Sequence, residues 1–142
     1  MTDPEIRKVF DRWAAAEMQL RDKLIHTEPM FAANSVPGTG DRPIRASEIR
    51  RLRRRRMIFG VRYKGRDYFP AFQFRNGLPK SIVGRVLTLL HLVRREDNWF
   101  ALYWFVGANA WLEGDATPLS VMDSDEDAIT EAAIHANDQI SD

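Results

Sequence analysis

Tyr68-Phe-Pro-Ala-Phe-Gln-Phe74, followed by Asn76-Gly-Leu-Pro79, is the stretch on which the reading of this chain turns. Aromatic residues want burial, and prolines and glycine punctuate regular structure. Set at fixed places, they specify one compact scaffold. Downstream the order continues through an apolar run, Trp99 and Trp104, Asn109, Leu112, Gly114 and Thr117-Pro118-Leu119. None of these pieces is a catalytic motif.

Working towards the N-terminus, Ile58-Phe-Gly-Val-Arg-Tyr63, Lys64-Gly65 and Arg66-Asp-Tyr-Phe69 read as a small β-hairpin with glycine in its turn, ended by Pro70. Before it, Ser47 can cap a short helix that runs through Ile49 and Leu52 and ends near Met57. Asn34 to Pro43 concentrates turn-favouring residues and reads as an exposed linker. At the front, Asp3 can cap a helix with Pro4 in its first position and Glu5 at the positive end of the dipole. Ile6, Val9, Phe10, Trp13, Leu20 and Leu24 recur at helical spacing, and Pro29 stops the run.

Working towards the C-terminus, Pro79 is expected to open a third helix whose apolar residues, Ile82 to Val93, cover more than one face, with Arg94 and Arg95 at its negative end. Asp97 or Asn98 starts a fourth, Trp99 to Val106, apolar on three sides and therefore buried or at an interface. Gly107-Ala-Asn109 stops it, and Thr117-Pro118 caps a short helix from Leu119 to Met122. Ser124, with Asp127 three residues on, is placed to cap a last helix from Asp125 to about Asn137, and the tail from Asp138 is expected to fray. The expected fold is mainly α, a small helical bundle with one short β-hairpin. Three regions are expected: residues 1–43 as helix and linker, 44–70 as an arginine-rich helix plus hairpin, and 71–142 as a helical binding and dimerisation region.

The net charge of +1 over 142 residues conceals a segregation. From Arg42 to Arg66, ten Arg and one Lys stand against Glu48 alone, a net +10 in 25 residues. After Arg95 there are eleven acids and no Lys or Arg. The basic stretch can track phosphates, and the acidic end can engage a basic partner. The bland alternative is that both are solvated faces. A short helix followed by a basic hairpin is also how a winged DNA reader is built, although a complete helix-turn-helix is not visible.

The chain has 44% hydrophobic residues, 11% aromatics and no cysteine, which argues against disorder and removes disulfides, thiol catalysis and thiolate metal sites together. The acidic start and the absence of a 20-residue apolar run imply no secretory signal and no membrane span, and a cytoplasmic location fits. His26, His91 and His135 are scattered, without metal-ligand spacing, phosphate loop or nucleophile motif, so neither enzyme activity nor a cofactor is expected.

In order, Tyr68 to Phe74, the Asn-Gly-Leu-Pro opening of a helix, Asn98-Trp99, Trp104-Phe105, Asn109 with Leu112, Gly114, Thr117-Pro118-Leu119 and the Ala-rich helix Asp127 to Ala136 resemble the toxin-binding domain of Xre/MbcA/ParS-type antitoxins. The resemblance runs from about Val61 to Asn137. It implies a helical domain that dimerises and masks the active site of a RES-domain toxin, an enzyme that consumes NAD. The inhibitor's role would carry over, without the toxin's chemistry. The front of the chain departs from that family, since Met1 to Arg56 offers no full Xre-like helix-turn-helix and leaves base readout unassigned.

The residues expected to touch the partner protein are Trp99, Trp104, Asn109, Trp111, Leu112, Asp125, Glu126, Asp127 and Glu131. Several of them are expected to hold the fold instead, and Trp111, near a break among small residues, is the favoured anchor. Arg50, Arg51, Arg53, Arg54, Arg55, Arg62, Lys64 and Arg66 are the expected nucleic-acid contacts. The competing reading is a stand-alone DNA-binding transcriptional regulator.

Overall fold

Lys64 and Gly65 both take positive φ, 49° and 77°, and so form the two-residue turn that matches the twist of paired strands. They join β2 (Val61–Tyr63) to β3 (Arg66–Pro70), antiparallel with Arg62 opposite Asp67. The expected hairpin is therefore present, and a third strand extends it. In this computed structural model, which describes residues 3–92 and 98–136, β1 (Met30–Ala32) pairs with the other edge of β3, Phe31 opposite Phe69. The sheet order is β1-β3-β2.

The Asn-Gly pair gives the first correction. Asn76 and Gly77 also take positive φ, 53° and 77°, and close a second hairpin, β4 (Phe74–Arg75) with β5 (Leu78–Pro79). Pro79 thus ends a strand and does not open a helix. Its successor Lys80 is the N-cap of α3 (Ser81–Leu89). The fold is accordingly mostly helical with a small sheet and a hairpin, not purely a bundle. Arg94 and Arg95 lie outside the described residues.

The first helix, α1 (Pro4–Thr27), begins where its sequence says: Asp3 accepts the Glu5 amide at 2.8 Å and Pro4 fills the first position. The second, α2 (Ala46–Arg54), is shorter than expected and lacks the Ser47 cap, because Arg45 takes the N-cap position and makes no side-chain bond there. Arg56 turns left-handed just beyond it, with φ 55°. The 34–43 segment is not wholly exposed. Val36 is fully buried with Ile49, Leu52, Ile58 and Phe69, and Pro37 bridges Pro43.

The main core lies under α3, α4 (Trp99–Val106), α5 (Pro118–Val121) and α6 (Glu126–His135). Its aromatic centre is Phe59 stacked on Phe105 at 6.0 Å, with Phe72 tilted against Phe105 at 5.0 Å. Gly107 ends α4, and Thr117 caps α5 through the Ser120 amide at 3.1 Å, both at the expected places. The cap of α6 is Asp125, not Ser124: its carboxylate accepts the Ala128 amide at 3.1 Å. The expected tail from Asp138 lies outside the described residues. Among the described residues, no helix is long and apolar enough to cross a membrane.

Candidate functional site

The arginine stretch folds into a ridge made by α2 and the β2–β3 turn. Burial of Ile49 and Leu52 fixes which face of α2 points inward, and the period of 3.6 residues then sends Arg50 and Arg54 outward, with Arg55 exposed just past the helix end. Along β2, Val61 and Tyr63 are buried, so the alternation of a strand turns Arg62 to solvent. Lys64 and Arg66 are exposed at the turn.

Two of the expected contacts serve the ridge from within. Arg53 reaches across to Asp67 at 3.4 Å and lies over the Phe69 ring at 5.5 Å from its centroid. Asp67 also faces Arg62 at 3.7 Å, so one carboxylate stands between the helix and the hairpin. Arg51 is held by Glu48 one turn back, Nε to Oε2 at 2.9 Å, and that hydrogen bond keeps the Glu48 carboxyl below its usual range. The outward set is therefore Arg50, Arg54, Arg55, Arg62, Lys64 and Arg66. This is an array of cations suited to a polyanion backbone, and at its end Arg55 also lines an open groove of about 470 Å³ with Arg56, Lys80 and Arg85.

The expected protein contacts separate more sharply. Trp99 is only 2% exposed, and its Nε1 donates to the Arg62 carbonyl at 2.9 Å, pinning α4 to the strand that carries the ridge. Trp104 is half-buried and meets Phe105 edge-on at 5.2 Å. Leu112 is buried in the core. Asn109 shapes the chain reversal after α4: its side-chain oxygen accepts the Trp111 amide at 2.9 Å, and its carbonyl accepts the Leu112 amide at 3.1 Å. These four hold the fold.

What faces outward is Trp111, 50% exposed, with its indole stacked on the His135 ring at 3.9 Å and 12°. His135 in turn faces Glu131 at 3.3 Å, one turn back on α6. Glu126 and Asp127 are exposed in the first turn of α6, next to its cap Asp125. Negative charge there is favoured by the helix dipole. Trp111, His135 and Glu131 thus form one aromatic and acidic face at the C-terminal end of α6, whereas Glu126 at its start lines a separate groove with Arg75, Lys80 and Asp123. The sequence reading passed over His135, whose only local signal is its (i, i+4) spacing from Glu131.

A second surface was missed entirely. Between α1 and α4 lies an open, mainly apolar groove of about 570 Å³ lined by Trp13, Ala16, Leu20, Trp99, Phe100 and Tyr103, together with Glu17 and Arg21. Arg21 bonds Glu17 at 2.6 Å and Tyr103 at 3.1 Å, and Tyr63 bonds Asp22, so the C-terminal half of α1 is tied to the body. Among the described residues, no group of three or more His, Asp or Glu side chains is placed to hold a metal ion. No protein-family model, curated protein or solved structure matches the chain.

Proposed function

We propose that this chain is the antitoxin of a type II toxin–antitoxin pair, neutralising a RES-like, NAD-consuming toxin by direct binding, with its arginine ridge able to hold operator DNA by the phosphates. The observation that carries the reading is the half-exposed Trp111 stacked on His135 at the C-terminal end of α6, with Glu131 one turn back. An aromatic anchor with polar and charged groups around it has the composition of a binding hot spot. Carboxylates on the same helix can occupy a pocket built for an anionic nucleotide, competing for the same donors. The ordered string from Tyr68 to Ala136 supports the same reading through its resemblance to antitoxin toxin-binding domains.

The test is co-expression with the product of the adjacent gene, together with a growth assay of that gene alone. A neighbour that is toxic alone and is rescued in a stable complex is the expected result. A harmless neighbour that does not copurify overturns the proposal. In that case the second reading stands, a DNA-binding regulator without a toxin. It draws on the Arg53–Asp67–Arg62 arrangement, which sets helix and hairpin cations on one ridge.

A further inference from the structure

The N-terminal half of α1 is a projecting rod. Every residue from Asp3 to Ala16 is exposed, and the apolar stripe on it is exposed with the rest: Ile6 49%, Val9 57%, Phe10 62% and Trp13 65%. The stripe continues past Trp13 into the groove against α4, where Leu20 is 43% and Phe100 is 51% exposed. An isolated helical segment of this length is marginal in water, and solvent-facing aromatic rings do not support it.

We propose that this stripe is a self-association surface, covered by the same stripe of a second copy in an antiparallel, two-fold symmetric pair. The two ends of the stripe differ in shape in the way such a pair requires. The projecting half offers the large side chains Phe10 and Trp13 on a bare rod. The half tied to the body offers an open groove floored by Ala16, Leu20 and Phe100. Antiparallel packing inserts each copy's rod into the other's groove, so both halves are satisfied twice by one operator. It also opposes the two helix dipoles and places the two bodies at opposite ends of the helix pair.

Size and charge select a second copy over other occupants. The exposed parts of the six apolar side chains amount to about 700 Å² per chain, so self-pairing buries up to about 1,400 Å², within the range of specific interfaces. The helix from Pro4 to Thr27 carries five Lys or Arg and four Asp or Glu, interspersed. Such a face meets itself without net repulsion. It lacks the single-sign field that a nucleic acid or a strongly charged partner would select. The antitoxin resemblance begins near Val61 and implies nothing about α1, so this inference stands apart from the proposed function.

The test is the mass in solution of the full-length protein, alone, at about 100 µM, a concentration that saturates specific interfaces of this size. A dimer is expected. Phe10→Glu with Trp13→Glu should weaken it at least about thirtyfold, as loss of central aromatic anchors does, while Leu78→Glu, on an exposed apolar residue of β5, leaves it unchanged. All three positions are exposed, so the body stays folded, which its thermal transition verifies. Because the chain has no cysteine, orientation is read directly. Ala16→Cys, on the stripe near its centre, should cross-link to itself on oxidation, and Arg7→Cys, near its end, should not. A monomeric wild type, a dimer that survives the double substitution, or equal cross-linking at both positions overturns the proposal.

Discussion

Gln73 is completely buried, and three backbone groups depend on it. Its Oε1 accepts the Phe59 amide at 2.7 Å, and its Nε2 donates to the Phe59 carbonyl at 2.8 Å and the Pro70 carbonyl at 3.2 Å. One primary amide thus completes both hydrogen bonds of Phe59, the residue whose ring stacks on Phe105 at the centre of the core. That is the physical content of Phe-Pro-Ala-Phe-Gln-Phe: Pro70 and the single 3₁₀ turn from Ala71 aim the amide inward. Gln73→Leu fits apolar surroundings but strands an N–H and two carbonyls, so we expect a loss of about 2–5 kcal/mol in denaturant unfolding. Gln73→Glu keeps the acceptor and turns the donor into a charged oxygen facing two carbonyls, which raises its carboxyl in the folded state. A carboxyl raised on folding contributes its stability below the unfolded value of about 4.3 and loses it as pH rises. The Glu variant should therefore regain stability as pH is lowered towards about 4, where its O–H replaces the lost donor. If Leu and Glu lose the same amount at every pH, the amide is not what matters at this position. The aromatic string marked this place in the sequence, but nothing local said which backbone group its polar member would serve.

Within α2, adjacent arginines do different work, and the difference is set by partners far along the chain. Arg53, paired with Asp67 and laid over Phe69, ties the helix to the sheet, whereas Arg54 faces water. Arg53→Gln should cost about 1–2 kcal/mol in unfolding experiments, since it removes a partly buried charge pair and a cation–π contact. Arg54→Gln should leave stability within about 0.5 kcal/mol and lower by about 1 the salt slope of binding to duplex DNA. Equal stability losses would mean the clamp to the hairpin is not formed. The same distinction explains what was legible at this scale. Caps and turns with a local mechanism could be read: Asp3 with Pro4, Lys64-Gly65, Thr117 with Pro118. Where two local signals compete, the reading went wrong. Pro79 follows Asn76-Gly77 closely enough to imitate a helix start, and the strands flanking that turn, two residues each, are too short to show alternation. The sequence reading makes Ser124 the cap of α6, and it is the carboxylate of its neighbour Asp125 that reaches the Ala128 amide. β1, three residues long, has no period to detect and exists because β3 offers it an edge.

At the scale of the whole molecule, and among the described residues, the charge segregation written in the sequence is carried by different elements: the basic stretch by the α2–hairpin ridge, and part of the acidic end, Glu126, Asp127 and Glu131, by α6. Composition alone could announce the separation, because +10 between Arg42 and Arg66 and eleven acids after Arg95 need no folding to be counted. It could not say that Trp99, Leu112 and Asn109 are spent on the fold while Trp111 is not, since which of the apolar and turn residues is covered depends on what the tertiary structure lays over them. If the proposed toxin and operator occupy the Trp111 face and the arginine ridge, their losses are separable. Arg50, Arg54, Arg55 and Arg66 all changed to Gln should abolish most DNA binding, whose affinity falls steeply with salt, and leave the complex with the toxin intact. Trp111→Ala removes an exposed ring that rests on one imidazole, so stability should change by less than about 1 kcal/mol. The toxin complex should weaken by tenfold or more, with DNA binding unchanged. The measurement is a pair of titrations, duplex DNA and purified toxin, on both variants across a range of salt. Loss of both activities in either variant would mean a single shared surface; loss of both in the arginine variant would place the proposed toxin on the ridge and not on α6.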